Sequence, residues 1–146
     1  MSHSGQLPLA VTMGDPAGCG PQITLRAWQA LAKEDAAPPF YVIADPALFG
    51  DAAEIIASPG DAASLFARKL PVVPLSSPLP AFETGVPNPE LAPAILESID
   101  KAMADSFAEK AGGVVTNPIS KAVLYSAGFK HPGHTEYLAD LSKKET

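Results

Sequence analysis

The sequence predicts an α/β fold, a parallel-rich sheet with helices on both faces. Three observations carry this. Short strand-like apolar runs alternate with segments of helical periodicity, in the order strand, helix, strand, helix, strand, helix, strand, helix, helix. The strand-like runs are apolar nearly throughout rather than alternating with polar residues, as strands covered on both faces do. The longest helical stretch, Glu90 to Lys110, places Leu91, Ile95, Ile99 and Met103 on one stripe and so buries a single face.

Taken in order, Met1 to Gln6 is polar and reads as a frayed terminus. Leu7 to Met13 is the first strand, and Gly14-Asp15-Pro16-Ala17-Gly18-Cys19-Gly20-Pro21 is a dense turn. Pro21 suits the first position of a helix that runs through Leu31. Pro38-Pro39 ends that unit, and Phe40 to Ala44, aromatic and β-branched, is the second strand. Asp45-Pro46 reads as an N-cap and helix start, with the helix reaching about Ile56. A turn at Ser58-Pro59-Gly60 leads to a short helix over Ala62 to Lys69. Pro71 to Leu75 is a strand weakened by its prolines. Ser76 to Pro89 is a proline-rich loop whose Leu79, Phe82 and Val86 are expected to pack on the body. After the long helix and Gly112-Gly113 come a strand over Val114 to Thr116, a helix over Ser120 to Ala127 with Gly128 as its cap, and a last helix over Thr135 to Lys143.

The 146 residues amount to one domain, 47% hydrophobic and 18% charged, enough to bury a core. A net charge of −6 and a pI near 4.9 exclude a nucleic-acid backbone as the expected partner, because phosphate tracking needs clustered Lys and Arg. The single cysteine, Cys19, excludes an intrachain disulfide and fits a reducing compartment. No signal peptide opens the sequence and no apolar run is long enough for a bilayer, so a cytoplasmic protein without a membrane partner is expected.

Ligands of open α/β sheets settle beyond the carboxyl ends of the strands. Thr116, Asn117, Ser120 and Lys121 fall there. Lys121 lies in the first turn of its helix, where backbone N–H groups already carry positive charge, so it fits best beside something negative. The alternative is a lysine bent away into solvent. Gly14, Gly18 and Gly20 match neither the dinucleotide nor the P-loop spacing. Asp15 either orients a ligand hydroxyl or amine or closes an Asx-turn. His131 and His134 are spaced to share a metal, but a complete site needs at least three protein ligands and no third cluster is near. His134-Thr135 is a polar pair at a helix entrance, where Thr135 caps or binds. Cys19 has no base beside it in sequence and reads as a small buried residue.

Met13-Gly14-Asp15-Pro16-Ala17-Gly18-x-Gly20-Pro21, Gly85-Val86-Pro87-Asn88-Pro89, Thr116-x-Pro118-x-x-Lys121, Ala127-Gly128 and Gly133-His134-Thr135-Glu136, in that order, resemble the PdxA family, the 4-hydroxythreonine-4-phosphate dehydrogenases of pyridoxal 5'-phosphate (vitamin B6) biosynthesis. Members are about twice this long, so the resemblance makes residues 1–146 the N-terminal α/β segment of an isocitrate/isopropylmalate-dehydrogenase-like two-domain fold. It implies oxidation and decarboxylation of 4-phosphooxy-L-threonine with NAD (or NADP) and a divalent metal (Zn, Mg or Co), in a homodimer. In the family the metal polarises the substrate oxygen and the nicotinamide accepts the hydride. Metal and cofactor would be bound mainly by the C-terminal half, leaving no catalytic or metal-binding residue in this segment. His134 and Thr135 would contact the substrate, with Lys121, Asn117 and Asp15 in support. Cys19 and Gln22 depart from the aliphatic residue and the glutamate the family leads one to expect, and Asn117 stands where glycine is frequent. A segment of this kind is expected to be inactive alone. A sister dehydrogenase for threonate or erythronate 4-phosphate, or a non-catalytic module that binds a phosphorylated metabolite, would carry the same motifs.

Overall fold

The computed structural model describes residues 6–131 and 133–145, except for the side chains of 134, 144 and 145. Five parallel strands, β1 (Leu9–Thr12), β2 (Phe40–Ala44), β3 (Ala53–Ile55), β4 (Leu70–Pro74) and β5 (Gly113–Val115), form one sheet in the order β3-β4-β2-β1-β5. Val11 stands level with Val42 on one side and Val115 on the other. The helices are α1 (Gly20–Leu31), α2 (Ala62–Leu65), α3 (Ala92–Phe107), α4 (Lys121–Ser126) and α5 (His134–Glu145).

The connection β1-α1-β2 runs one way across the sheet and β4-α3-β5 runs back past β2 and β1. Right-handed crossovers therefore put α1 and α3 on opposite faces. This is why the central strands are apolar on both sides: every residue of β2 is buried. Leu91, Ile95 and Ile99, from the predicted stripe, are almost completely buried on the α3 side. Leu79 and Phe82 of the proline-rich loop pack on the same core, whereas Val86 is exposed.

Two elements differ from expectation. The helix expected from Pro46 to Ile56 is a 3-10 segment over Pro46–Ala52, broken at Gly50 (φ 55°, ψ −137°) and followed by strand β3. Asp45 caps it as predicted, its carboxylate accepting from Ala47 N at 3.0 Å, but the left-handed glycine ends the helical path. The helix expected over Ala62 to Lys69 is only the single turn of α2.

Strand β4 lies inside the sheet despite its two prolines. Their missing N–H groups fall where no ladder bond is due. Pro71 precedes the first β2 pair (Val42 with Val72), and Pro74 lies past the last β3 pair (Ile55 with Val72).

Candidate functional site

Strands β1 and β5 are neighbours, yet the chain leaves β1 toward one edge of the sheet and returns to β5 on the other side. That reversal is the topological switch point, where the loops at the carboxyl ends part and leave a crevice. One rim is the glycine turn after β1; the other is Thr116 to Ser120 after β5.

The rims are joined by buried polar contacts. Asn117 Nδ2 donates to the Thr12 carbonyl at 2.8 Å and to Thr24 Oγ1 at 2.7 Å, and Asn117 N donates to Thr12 Oγ1 at 3.0 Å. Asp15 N donates to the Pro118 carbonyl at 3.0 Å. So close an approach requires Gly14. It takes φ 72°, and a Cβ there would stand 2.7 Å from Asn117 Cβ and 2.8 Å from the Pro118 oxygen. A Cβ on Gly20 would stand 2.6 Å from the Met13 oxygen. Gly14 thus serves packing between the loops and Gly20 packing within its own turn, whereas Gly18 faces the crevice.

A third segment closes the crevice: Gly85 N donates to the Ala17 carbonyl at 2.7 Å. The result is a cleft of about 190 Å³ lined by Asp15, Ala17, Gly18, Gly85, Val86 and Ser120, among others. Asp15 is buried, and its carboxylate accepts from Ala17 N at 2.9 Å, so it closes an Asx-turn at the cleft wall. The inward amide of Asn117 makes it a brace between β1, β5 and α1. Cys19, expected to be buried, is exposed, because the turn carries the position before α1 outward.

Ser120, on the cleft wall, caps α4 by accepting from Val123 N at 3.3 Å. Lys121 follows it, exposed, in the first turn. Its side chain extends to the second motif. A Cβ placed on Gly133 would lie 3.6 Å from Lys121 Cε, 3.8 Å from Nζ and 3.5 Å from a Glu136 carboxylate oxygen. Lys121 and the Gly133–Glu136 turn therefore meet. Thr135 is exposed at the start of α5. The side chain of His134 lies outside the described residues, and so does Pro132.

Helix α5 is held by Tyr137, whose hydroxyl donates to Asp100 on α3, and by the packing of Phe129, His131 and Tyr137 with ring centroids 5.1 to 5.3 Å apart. Burial, then the bond to the Asp100 carboxylate, pushes the Tyr137 phenol well above its ordinary range. Tyr41, bonded to Asp105 at 2.6 Å, is raised for the same reasons. His131 Nε2 lies 3.4 Å from Asp140 Oδ2, so this imidazole belongs to the packing under α5.

Among the described residues no three His, Cys, Asp or Glu side chains stand close enough together to hold a metal ion. The glycine turn, given over largely to packing, and its small cleft do not fit a dinucleotide. Neither group is accommodated by the described residues alone.

Sequence inspection did not single out Thr12, Thr24 or Ser98. Ser98 Oγ accepts from Met13 N at 2.8 Å and donates to the Ile43 carbonyl at 2.7 Å, tying the ends of β1 and β2 to α3. Its signal was legible: a serine on the apolar stripe, three residues from Ile95.

The family described as pyridoxal phosphate biosynthetic protein PdxA matches residues 35–146. The chain belongs to the PdxA family. The 4-hydroxythreonine-4-phosphate dehydrogenase of Bradyrhizobium diazoefficiens is 43% identical over 99% of this chain and 46% of its own length. The Methylorubrum extorquens protein of the same name is 46% identical over 97% of this chain and 43% of its own. In structure, the chain resembles 4-hydroxythreonine-4-phosphate dehydrogenase from Klebsiella pneumoniae, with a TM-score of 0.75, 28% identity, and coverage of 94% of this chain and 45% of that one. The chain thus spans less than half the length of these PdxA relatives.

Proposed function

We propose that the chain is the N-terminal α/β part of an enzyme that oxidises and decarboxylates 4-phosphooxy-L-threonine, with NAD (or NADP) and a divalent metal ion, in the synthesis of pyridoxal 5'-phosphate. The observation that carries this reading is the meeting of Lys121 with the Gly133–Glu136 turn, one residue on from Ser120, which lines the cleft at the β1–β5 switch point. A phosphorylated hydroxy amino acid is small, anionic and rich in hydrogen-bonding groups. Lys121, at a helix start, offers the phosphate a cation. Thr135 and His134, at the entrance of α5, bind the substrate's polar atoms. Asp15 and Asn117 support the site by fixing its walls. Metal and cofactor are held mainly by residues beyond this segment, in a cytoplasmic homodimer, and the segment alone is inactive.

Calorimetric titration of the chain with 4-phosphooxy-L-threonine, with and without NAD and a divalent cation, tests the reading. Lys121→Ala is expected to weaken binding about tenfold, the loss of one exposed charge-assisted contact, and to leave stability within about 0.5 kcal/mol. Unchanged affinity in Lys121→Ala and Thr135→Ala would remove these residues from the site. Equal affinity for threonate 4-phosphate would favour a sister dehydrogenase. Tight binding indifferent to NAD and metal, in this chain and in a chain extended to relative length, would favour a non-catalytic module.

A further inference from the structure

The ring cluster under α5 contains one member that packing alone does not require. Phe129, His131 and Tyr137 meet with centroids 5.1 to 5.3 Å apart, and a phenyl ring at 131 would make the same contacts. The imidazole adds two nitrogens. Nδ1 is buried with no hydrogen-bond partner among the described residues, and a polar atom taken from water without a partner opposes folding. Nε2 lies 3.4 Å from Asp140 Oδ2, in side chains that are 29% and 43% exposed. A pair so open to water adds little stability, less than the stranding of Nδ1 removes. Judged by stability, position 131 suits phenylalanine better than histidine.

Its place in the chain gives the imidazole another use. His131 stands two residues before Gly133 and reaches positions 137 and 140 of α5, which share one face of the helix. The chain is thus folded back on the helix it is about to enter. Tyr137 N, donating to the Gly133 carbonyl at 3.2 Å, closes the first turn of that helix. That turn carries Thr135 and meets Lys121 at Gly133. We propose that His131 is a positioning residue: its Nε2–H, directed at the Asp140 carboxylate, fixes how the chain enters α5 and so where Thr135 stands relative to Lys121. The histidine serves the geometry of the turn and not the stability of the fold. Its effect on the turn stands by itself, whereas its effect on affinity rests on the reading of Thr135 and Lys121 as substrate contacts.

The test separates the turn from the fold. Melting temperature and amide hydrogen exchange at Tyr137 are measured without ligand in the parent chain, His131→Phe, Asp140→Ala, Asp140→Asn and the double variant of His131→Phe with Asp140→Ala. His131→Phe keeps the ring and loses Nε2. It is expected to melt no lower than the parent, because the stranded Nδ1 is gone, while exchange at Tyr137 quickens about fivefold, the effect of one exposed polar tie on local opening. Asp140→Asn, which keeps an acceptor oxygen, restores most of the protection that Asp140→Ala removes. Asp140 makes further interactions, so the pair is isolated by the cycle: the double variant exchanges no faster than Asp140→Ala. Nitrogen-15 shifts of the parent imidazole place its proton on Nε2. With 4-phosphooxy-L-threonine, affinity falls about threefold in His131→Phe. Exchange at Tyr137 unchanged by His131→Phe, or losses that add in the double variant, overturn the proposal and leave His131 to packing. A melting temperature lowered by His131→Phe overturns it as well. Quickened exchange with unmoved affinity, or with a parent chain that binds no substrate, upholds the positioning and counts against Thr135 and Lys121 as substrate contacts.

Discussion

The two halves of the candidate site are built by different means. The β1–β5 junction is held by buried hydrogen bonds between residues 93 and 105 positions apart, Asn117 with Thr24 and Thr12, and by a glycine with no room for a side chain. The α4–α5 end is held by ring packing and by a tyrosine–aspartate bond and an imidazole–carboxylate pair nearer the surface. The first is set by groups that water cannot replace. The second rests on contacts that water screens and competes with. The β1–β5 junction is thus fixed by the fold, and the α4–α5 end, bearing Lys121 and Thr135, is expected to add little to stability.

The sharpest way to break the contrast is at Gly14. Gly14→Ala is expected to cost about 3 kcal/mol or more, since the new carbon meets backbone as well as left-handed φ, while Gly50→Ala, left-handed but with open space around it, costs about 1 kcal/mol. Urea unfolding of both variants checks this, and similar losses would deny that the two rims are in contact. Next, Asn117→Ala strands the Thr12 carbonyl in the interior and is expected to cost about 2 kcal/mol. Chemical-shift changes should spread across both rims; a loss confined to β5 would mean that Asn117 braces nothing. Tyr137→Phe, at the α4–α5 end, removes one hydrogen bond and should cost only about 1 kcal/mol, with hydrogen exchange in α5 accelerated and that in β1 unaltered.

The pH dependence sharpens the same distinction. Raised phenol pKa values mean that the protonated form is favoured by folding. The stabilisation from Tyr41 and Tyr137 is therefore complete below the ordinary tyrosine range and is lost as pH rises above about 10 toward the folded values. Melting temperatures followed from pH 8 upward should fall at the alkaline end, and Tyr137→Phe should make the fall shallower. At the acid end, burial opposes ionisation of Glu97, but Lys101 and the Ser76 donors outweigh it and hold its carboxyl below the ordinary value. Its exposed contribution, lost as pH drops through the glutamate range, should be the smallest effect of all.

Most of the fold was legible in local sequence. The apolar runs of β1 and β2, the stripe of α3 and the cap Asp45 are each written within a few residues, while Ser120, read as the first residue of its helix, is instead its N-cap. β3 was not, because three residues are too few to show a period, and its place is set by pairing with β4. Within the site, the Asx-turn at Asp15 was legible as an alternative, whereas the proximity of Lys121 to the Gly133 turn is seen only in the structure. The brace through Thr12 and Thr24 was not, since a buried threonine in an apolar segment gives no sign of a partner about a hundred residues away.

The residues alone determined that this chain makes a parallel α/β sheet, that its polar motifs sit on turns that open helices, and which family those motifs belong to, because periodicity, caps and turn chemistry act over short spans. Only the tertiary structure decided that Gly14 and Gly20 are there for packing, that Asn117 points inward, and that, among the described residues, β5 pairs with β1 alone. Those outcomes depend on strand order and on which loops the sheet brings within a few ångströms, and strand order is set by the whole chain at once.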